Sequence, residues 1–458
     1  MAYYTLKSYK LKIPAFRIFE FFSKERNCFF LDSSLNSNYK TGRYSFLGSN
    51  PFLVLKGRDE MFFKELKKIL RLYSLNKAIS PIPFLGGAVG YLAYDLGLLL
   101  EKKINKRVKP KSLIPCAHFG FYNSAVIFDH LRRLIHIFSI GWPEKKYHFA
   151  KLLAEENFKK TFKLVSLAVS SGPGKNNEAM KVRNLEFESN FSKEGYLAAI
   201  RKAKSYIKAG DVYQVNLSQQ FRAKSNAKAL EIYRNLRQLS PSFFSAYYDA
   251  GAFQILSSSP ERFLELKNNI VTTVPMKGTR RRSANKSEDE ALKKNLLKSE
   301  KDKAELMMIV DLERNDLGRV CNYNSVKVKK LRQVEKYNTV FQTTATVSGS
   351  LHQNKDRIDL IRACFPGGSI TGCPKIRAME IIDELEPSRR SIYTGNLGYL
   401  SFSGNMDFNI LIRSILKKGN NLYFGAGGGI VADSISEEEY RETLVKAKAM
   451  MQSISRQV

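Results

Sequence analysis

The sequence predicts an α+β fold: a complex α/β sandwich with antiparallel-rich sheets and helices packed outside. Three observations predict it. Short apolar runs bounded by Gly, Asn or Pro, the signature of strands, fill the first 165 or so residues. Strands and amphipathic helices then follow one another without a strict βαβ rhythm. No internal repeat or low-complexity tract interrupts them.

Taken in order, NCFFLD, RYSFLG, PFLVLKG, AVIFDH and LIHIFSI read as strands, and MFFKELKKILRLYSL has the spacing of an amphipathic helix. Residues 167–189 gather Ser, Gly, Pro and Asn and read as a linker or crossover loop. They separate an N-terminal region, 1–166, from a region 190–455 where the signals sharpen. Tyr196, Ala199, Ile200, Ala203 and Ile207 recur at helical spacing, and Gly210 is a natural stop. In DVYQVNLSQQF, Tyr213, Val215 and Leu217 alternate with Gln214, Asn216 and Ser218, so one face is apolar and the other faces solvent or a wet cavity. FQILSSSPERF and NIVTTVPMKGT are further strands leading into turns. A helix is expected over 299–315, opened by Ser299 with Asp302 three residues on, and others over 375–385 and 436–452. Between these last two, NLGYLSF, NILIRSIL and LYFGAGGGIV read as strands.

Composition narrows the function classes. The chain has 458 residues, 43% hydrophobic, which excludes a disordered protein. No apolar run reaches the roughly 18 residues of a membrane span, and MAYYTLKSYKLK lacks the apolar core of a signal peptide, so a cytoplasmic location is expected. Five scattered cysteines without a C-x-x-C pair argue against a disulfide framework or a zinc site. The net charge is +32. Yet the basic runs, EKKINKRVKPK (101–111) and 293–303, lack the interleaved aromatics of a base-stacking surface, which argues against nucleic-acid binding.

Five features carry chemistry. FPGGSITGCPK (365–375) nearly matches a phosphate-binding P-loop, but Cys373 and Pro374 replace its Lys-Ser/Thr, which excludes ATP binding. It and FGAGGGIVADS (424–434) remain either anion-binding nests or tight turns. Asp302 with Glu305, and Glu439 with Glu442, are each three apart and share a helix face. Two such pairs suit Mg²⁺; the plainer reading is a Ser436–Glu439 capping box and a Glu442–Lys446 ion pair. Lys277, in PMKGTRRR, has cationic neighbours that favour its free, nucleophilic amine. Glu261, after Pro260 at a strand-to-turn junction, suits a general acid or base. Surface charge at turns is the alternative for both.

Together, GDVYQVNLSQQF, SSSPERFL, TVPMKGTRRR, KDKAELMMIVDLERNDLGRVC, FPGGSITGCPKIRAMEIIDELEP, GNLGYLSFSGNMDFNILIRSI and AGGGIVADSISEEEYRETLVKA resemble the chorismate-utilising enzymes, in that family's order over 190–450. GRYSFLG and GGAVGYLAYDLG extend the likeness into the N-terminal half. The resemblance implies two opposed sheets with the active-site cleft between them and the N-terminal region built into the same sandwich. It is strongest to the aminodeoxychorismate synthase component I branch, which serves para-aminobenzoate and folate synthesis, because Lys277 stands where anthranilate synthases carry Ala. In that branch the lysine attacks C2 of chorismate as the C4 hydroxyl leaves, and ammonia then displaces it to give 4-amino-4-deoxychorismate. Glu261 matches the family's acid/base.

The same likeness implies Mg²⁺ on Glu305 and Glu442, with Asp302 and Glu439 beside them, holding the ring carboxylate. It implies substrate contacts from Gln214, Thr371, Lys375, Tyr399, Arg413 and the amides of Gly427, Gly428 and Gly429. Gln214 replaces the water-activating Lys of isochorismate synthases, which disfavours water addition. Gln342 replaces a His linked to pyruvate elimination, which argues against anthranilate synthase, the alternative reading; a non-catalytic chorismate-binding subunit is the second. CFFLDSS and GRYSFLG resemble the region where relatives bind tryptophan, with Asp32 in place of Glu. No G-x-C-x-G glutaminase elbow occurs, so a separate glutamine amidotransferase subunit is the expected ammonia source.

Overall fold

The structure, a computed structural model, describes residues 3–35, 41–75, 80–101, 104, 112–172, 181–337 and 340–457. The basic run at 101–111 lies largely outside them, as do residues 173–180 of the expected linker.

Two large sheets, antiparallel at every pairing, carry the molecule. The first has twelve strands. Its order is Tyr4–Lys10, Leu134–Ile140, Ser124–Asp129, Tyr44–Gly48, Phe29–Asp32, Phe244–Asp249, Gln254–Ser259, Ser414–Lys418, Asn421–Ile430, Gln214–Lys224 and Glu188–Ser189, with Gly372–Cys373 beside Gln214–Lys224. The second has ten. Its order is Met276–Arg281, Val340–Ser350, Ile270–Val274, Arg262–Lys267, Met406–Ile410, Asn396–Ser401, Gly87–Leu92, Ala117–Tyr122 and Leu53–Gly57, with Lys327–Lys336 beside Val340–Ser350. Strands from residues 1–166 and from 190–455 are hydrogen-bonded neighbours in both, as where Phe29–Asp32 pairs with Phe244–Asp249.

Strand periodicity builds the layers. Side chains alternate across a strand, so Phe29, Tyr248, Ile255 and Leu416 enter the core between the sheets. Their neighbours Phe30, Tyr247, Leu256 and Ile415 enter a second core on the outer face. Helices Ala15–Phe22, Tyr147–Ser170, Ala229–Leu239 and Ser436–Ser455 cover that outer face. Among the described residues no helix is long and apolar enough to cross a membrane.

Three local expectations are corrected. The helix Tyr147–Ser170 runs four residues into the expected linker. Its buried face is Ala150, Ala154, Thr161, Val165 and Ala168, too small a stripe to read as helical spacing. Ser436 caps nothing: Ile435 precedes the helix, and Glu439 instead accepts from Ser434 Oγ at 2.7 Å. NILIRSIL is not one strand. Met406–Ile410 lies in the second sheet and Ser414–Lys418 in the first, and the chain crosses between them through Leu411–Arg413. A second crossover runs alongside, from Gln254–Ser259 in the first sheet to Arg262–Lys267 in the second, through Pro260 and Glu261. The Ile410 amide donates to the Glu261 carbonyl at 3.0 Å and the Ser258 amide to the Arg413 carbonyl at 3.0 Å, so the two crossovers brace each other.

Candidate active site

The crossovers set the site. Glu261 is buried at the point where its strand changes sheets, and its Oε1 has no hydrogen-bond partner. Burial pushes its carboxyl up, and Ser369 and Lys277 oppose the shift. Lys277 comes from the edge strand Met276–Arg281, opposite Thr343, whose hydroxyl donates to the Lys277 carbonyl at 2.5 Å. The register slips between Lys277 and Thr279 around Gly278, which has φ +67°. A glycine in this left-handed conformation is how a bulge re-aims the adjoining side chain. Lys277 Nζ donates to the Ser369 carbonyl at 3.3 Å. Burial holds its ammonium below the ordinary lysine range, against Glu305 and Glu261 and with Lys446. The amine is thereby more available as a nucleophile, and its cause is desolvation rather than the arginines that follow it in sequence.

Two helices supply the carboxylates. Ser299 caps the helix Glu300–Gly318, accepting from the Asp302 amide at 3.2 Å, as expected. That helix carries Glu305, which burial raises while Lys277 and Lys301 oppose. Ser436–Ser455 brings Glu439 and Glu442. Burial raises Glu439 despite Ser434. Burial also acts on Glu442, but Lys446, paired with it at 2.6 Å, holds it low. Lys446 also donates to the Gly427 carbonyl at 2.9 Å.

The glycine strand makes room for these groups. A Cβ on Gly428 would stand 3.0 Å from Glu439 Oε2 and 4.0 Å from Glu442 Oε1, and one on Gly429 would stand 2.2 Å from Gln214 Nε2. Gln214 is fully buried, and both ends of its amide lack partners. The polar face of its strand thus points into the protein rather than to solvent. Arg413, at the other crossover, has φ +49° and one long bond, to Ser240 Oγ at 3.4 Å, while burial lowers its guanidinium. A guanidinium so weakly partnered keeps donors free for an anion.

Other expected residues are engaged elsewhere. Asp302 is paired with Arg280 at 2.8 Å. Lys375 is held by Asp316 and by the Cys364 carbonyl. The Thr371 hydroxyl donates to the carbonyls of Gly367 and Gly368 at 3.0 and 3.2 Å and so shapes the 367–371 loop. Tyr399 meets the Phe46 ring edge-on and the Phe84 ring at a tilt, and lines a cavity of about 570 Å³ with Asp32, Ser33 and Arg262. The Asp32 carboxylate is already engaged by Arg237 at 2.8 Å and Tyr233 at 3.2 Å. Sequence reasoning missed Ser369, whose carbonyl takes Lys277; its signal was its place in the rejected P-loop. Lys446 was seen only as a helix ion pair.

Among the described residues, no three His, Cys, Asp or Glu side chains stand close enough together to form a metal site by themselves. The Glu442 charge adds to the rise of Glu305. Two hard oxygen donors fit Mg²⁺, which keeps waters and substrate oxygens as its remaining ligands.

The family model described as chorismate binding enzyme matches residues 31–452. The chain belongs to the chorismate binding enzymes. It is 39% identical to anthranilate synthase component 1 of Acetivibrio thermocellus, over 96% of this chain and 92% of that one. It is 36% identical to aminodeoxychorismate synthase component 1 of Bacillus subtilis, over 90% of this chain and 89% of that one. Among solved structures it resembles anthranilate synthase component I from Streptococcus pneumoniae, with a TM-score of 0.77 and 34% identity over 89% of this chain and 92% of that one. This chorismate binding enzyme is therefore of the anthranilate synthase and aminodeoxychorismate synthase type, and relatives of both names stand at similar distance.

Proposed function

We propose that this enzyme converts chorismate and ammonia to 4-amino-4-deoxychorismate through a covalent Lys277 intermediate. The observation that carries the reading is the Lys277 amine, desolvated, beside Glu261, and held by the Ser369 carbonyl at 3.3 Å. The neutral amine attacks C2, the ring double bonds shift, and the C4–O bond breaks. Glu261 gives the departing hydroxyl its proton and regains one from the new Lys277 ammonium. Ammonia then adds at C4, the C2–N bond breaks, Lys277 leaves as the amine with a proton from Glu261, and the new C4 ammonium returns a proton to Glu261. One hard substitution becomes two easier ones.

Arg413 and the backbone of Gly427–Gly429 are suited to the substrate's carboxylates, and Gln214 to its polar edge. Lys375, Thr371 and Asp302 act one step removed, by holding Asp316, the 367–371 loop and Arg280. Glu305 and Glu442, with Glu439 beside them, would hold Mg²⁺, which when bound supplies positive charge for the ring carboxylate. The partner we infer is a glutamine amidotransferase subunit delivering ammonia, the kind of second component that the relatives' "component 1" names imply.

The test is a product assay with chorismate, Mg²⁺ and an ammonium salt. The expected product is 4-amino-4-deoxychorismate, lost in Lys277→Ala, and without ammonia the intact wild-type protein gains the mass of chorismate less water. Anthranilate with pyruvate would support the second reading, which the relatives named anthranilate synthase favour. Chorismate binding without turnover would point to a non-catalytic subunit.

A further inference from the structure

The helix that carries Glu305 holds another acid, Glu313, that the reaction above does not use. It lies eight residues on, about 12 Å along the axis. Glu313 is 3% exposed. Its side-chain hydrogen bond comes from Thr273 Oγ1 at 3.5 Å, and the Gly368 backbone also faces it. Its neighbour Asp316, equally buried, takes Lys375 and also Arg319, the latter at 2.8 Å. Among the described residues, no cation pairs with Glu313. The charged and titratable groups facing it are Asp316 on its own helix, Lys375, Glu261 from the sheet crossover and the Cys364 thiol.

Glu313 packs under the loop that builds the reaction centre. A Cβ on Gly368 would stand 3.4 Å from Glu313 Oε1, and the next residue, Ser369, presents its carbonyl to Lys277. A carboxyl buried beside a second carboxylate, with no cation paired to it, favours the neutral acid. Burial, Asp316 and Glu261 push its pKa up to about 8, against Lys375 and the Gly368 backbone.

We propose that Glu313 is a positioning residue that sets the alkaline limit of chorismate binding: as the neutral acid it supports the 367–371 loop, and its ionisation places an uncompensated charge under a site built for a dianion. Resting on the reading that Lys277 and Glu261 define the substrate's position, this adds a proton switch beneath them.

Two measurements on the full chain test it. Infrared difference spectra between wild type and Glu313→Gln should show, at neutral pH, a protonated-carboxyl band in wild type alone, lost on titration to pH 9. The KM for chorismate, measured as chorismate consumed, should rise about tenfold from pH 7 to pH 9 in wild type and stay level in Glu313→Gln. A merely structural role would lower stability and leave that profile in place. Glu313→Leu, neutral and of similar bulk, should show the same level profile and replaces Glu313→Gln if that variant does not fold. Wild type without the carboxyl band, or variants with the wild-type KM rise, would overturn the proposal. The infrared result is independent of which product forms, so failure of the aminodeoxychorismate reading leaves the switch still decided.

Discussion

Gly278 joins the fold to the chemistry, and replacing it with Ala separates two effects that can be sized. The first is backbone strain. Gly278 has φ +67°, and an L-residue in the left-handed region costs about 1–2 kcal/mol. The second is contact. The new methyl would stand 2.9 Å from Leu296 Cδ1 and 3.0 Å from Asp302 Cγ. Relieving such overpacking costs about 1–3 kcal/mol more. Gly210 supplies the control: it has φ +81° and nothing within 4 Å of an added Cβ, so Gly210→Ala carries the backbone effect alone.

Gly278→Ala is therefore expected to lower unfolding free energy by about 2–5 kcal/mol and Gly210→Ala by about 1–2 kcal/mol, read from denaturant midpoints at constant slope. Activity sharpens the contrast. The methyl pushes on Asp302, one turn before Glu305, and the bulge it flattens is the one that aims Lys277. Turnover should fall at least tenfold in Gly278→Ala and hold in Gly210→Ala. Equal destabilisation in the two variants would refute the close-approach argument. Full turnover in a destabilised Gly278→Ala would refute the claim that the bulge positions the lysine.

Two further predictions rest on buried charge. His118 lies between the sheets with Nδ1 2.6 Å from the Tyr248 hydroxyl, and burial, aided by Lys56, lowers its pKa to about 4. The unfolded chain takes up this proton near pH 6.5 and the folded chain does not, so stability falls as pH drops from 7 towards 4, by up to about 3 kcal/mol from this group; denaturant midpoints at pH 7 and pH 4.5 should differ less in His118→Gln than in wild type. Glu386 takes two bonds from Arg390, at 2.7 and 2.9 Å, and two from Ser218 at 2.8 Å, all buried. Glu386→Ala strands that guanidinium and should cost about 3–5 kcal/mol, whereas a double replacement of Glu386 and Arg390 by Leu should recover most of it, and a chemical-denaturation cycle checks both.

What was legible in the sequence was whatever its own periodicity encodes. The helix Lys193–Lys208 and the strand from Gln214 follow their spacing, because a single face is large and apolar. The helix Tyr147–Ser170 escaped because its buried face is mostly alanine-sized. The split of NILIRSIL escaped because both halves have strand periodicity, and nothing local marks which sheet each half joins. For the site, residue types were readable and pairings were not. Lys375 looked available until Asp316, 59 residues away in sequence, was found to hold it. Asp302 is held by Arg280 in the same way. Tyr399 lies in the cavity beside Phe46 because it comes from a strand whose neighbours are Gly87–Leu92 and Met406–Ile410, a fact of topology rather than of motif.

The location of the site follows from what sheet crossovers do to polar groups. Inside a sheet, each backbone group has a partner and each side chain a defined face. Where Pro260–Glu261 and Leu411–Arg413 pass between sheets, that regularity ends, and side chains from both sheets and two helices converge. Among the described residues, Glu261 Oε1 at one crossover and both ends of the Gln214 amide lack hydrogen-bond partners, as do buried atoms elsewhere such as Ser139 Oγ and His118 Nε2. Each such group costs about 1–3 kcal/mol when left dry. Glu261 lies near Lys277 and Gln214 lies against the glycine strand, so their open donors and acceptors are available to a polar ligand. Packing alone would have favoured apolar residues at these positions, as it did at Ile255 and Leu416 on the adjoining strands. Open polar groups next to Lys277 and the glycine strand are what a site for a polar ligand requires.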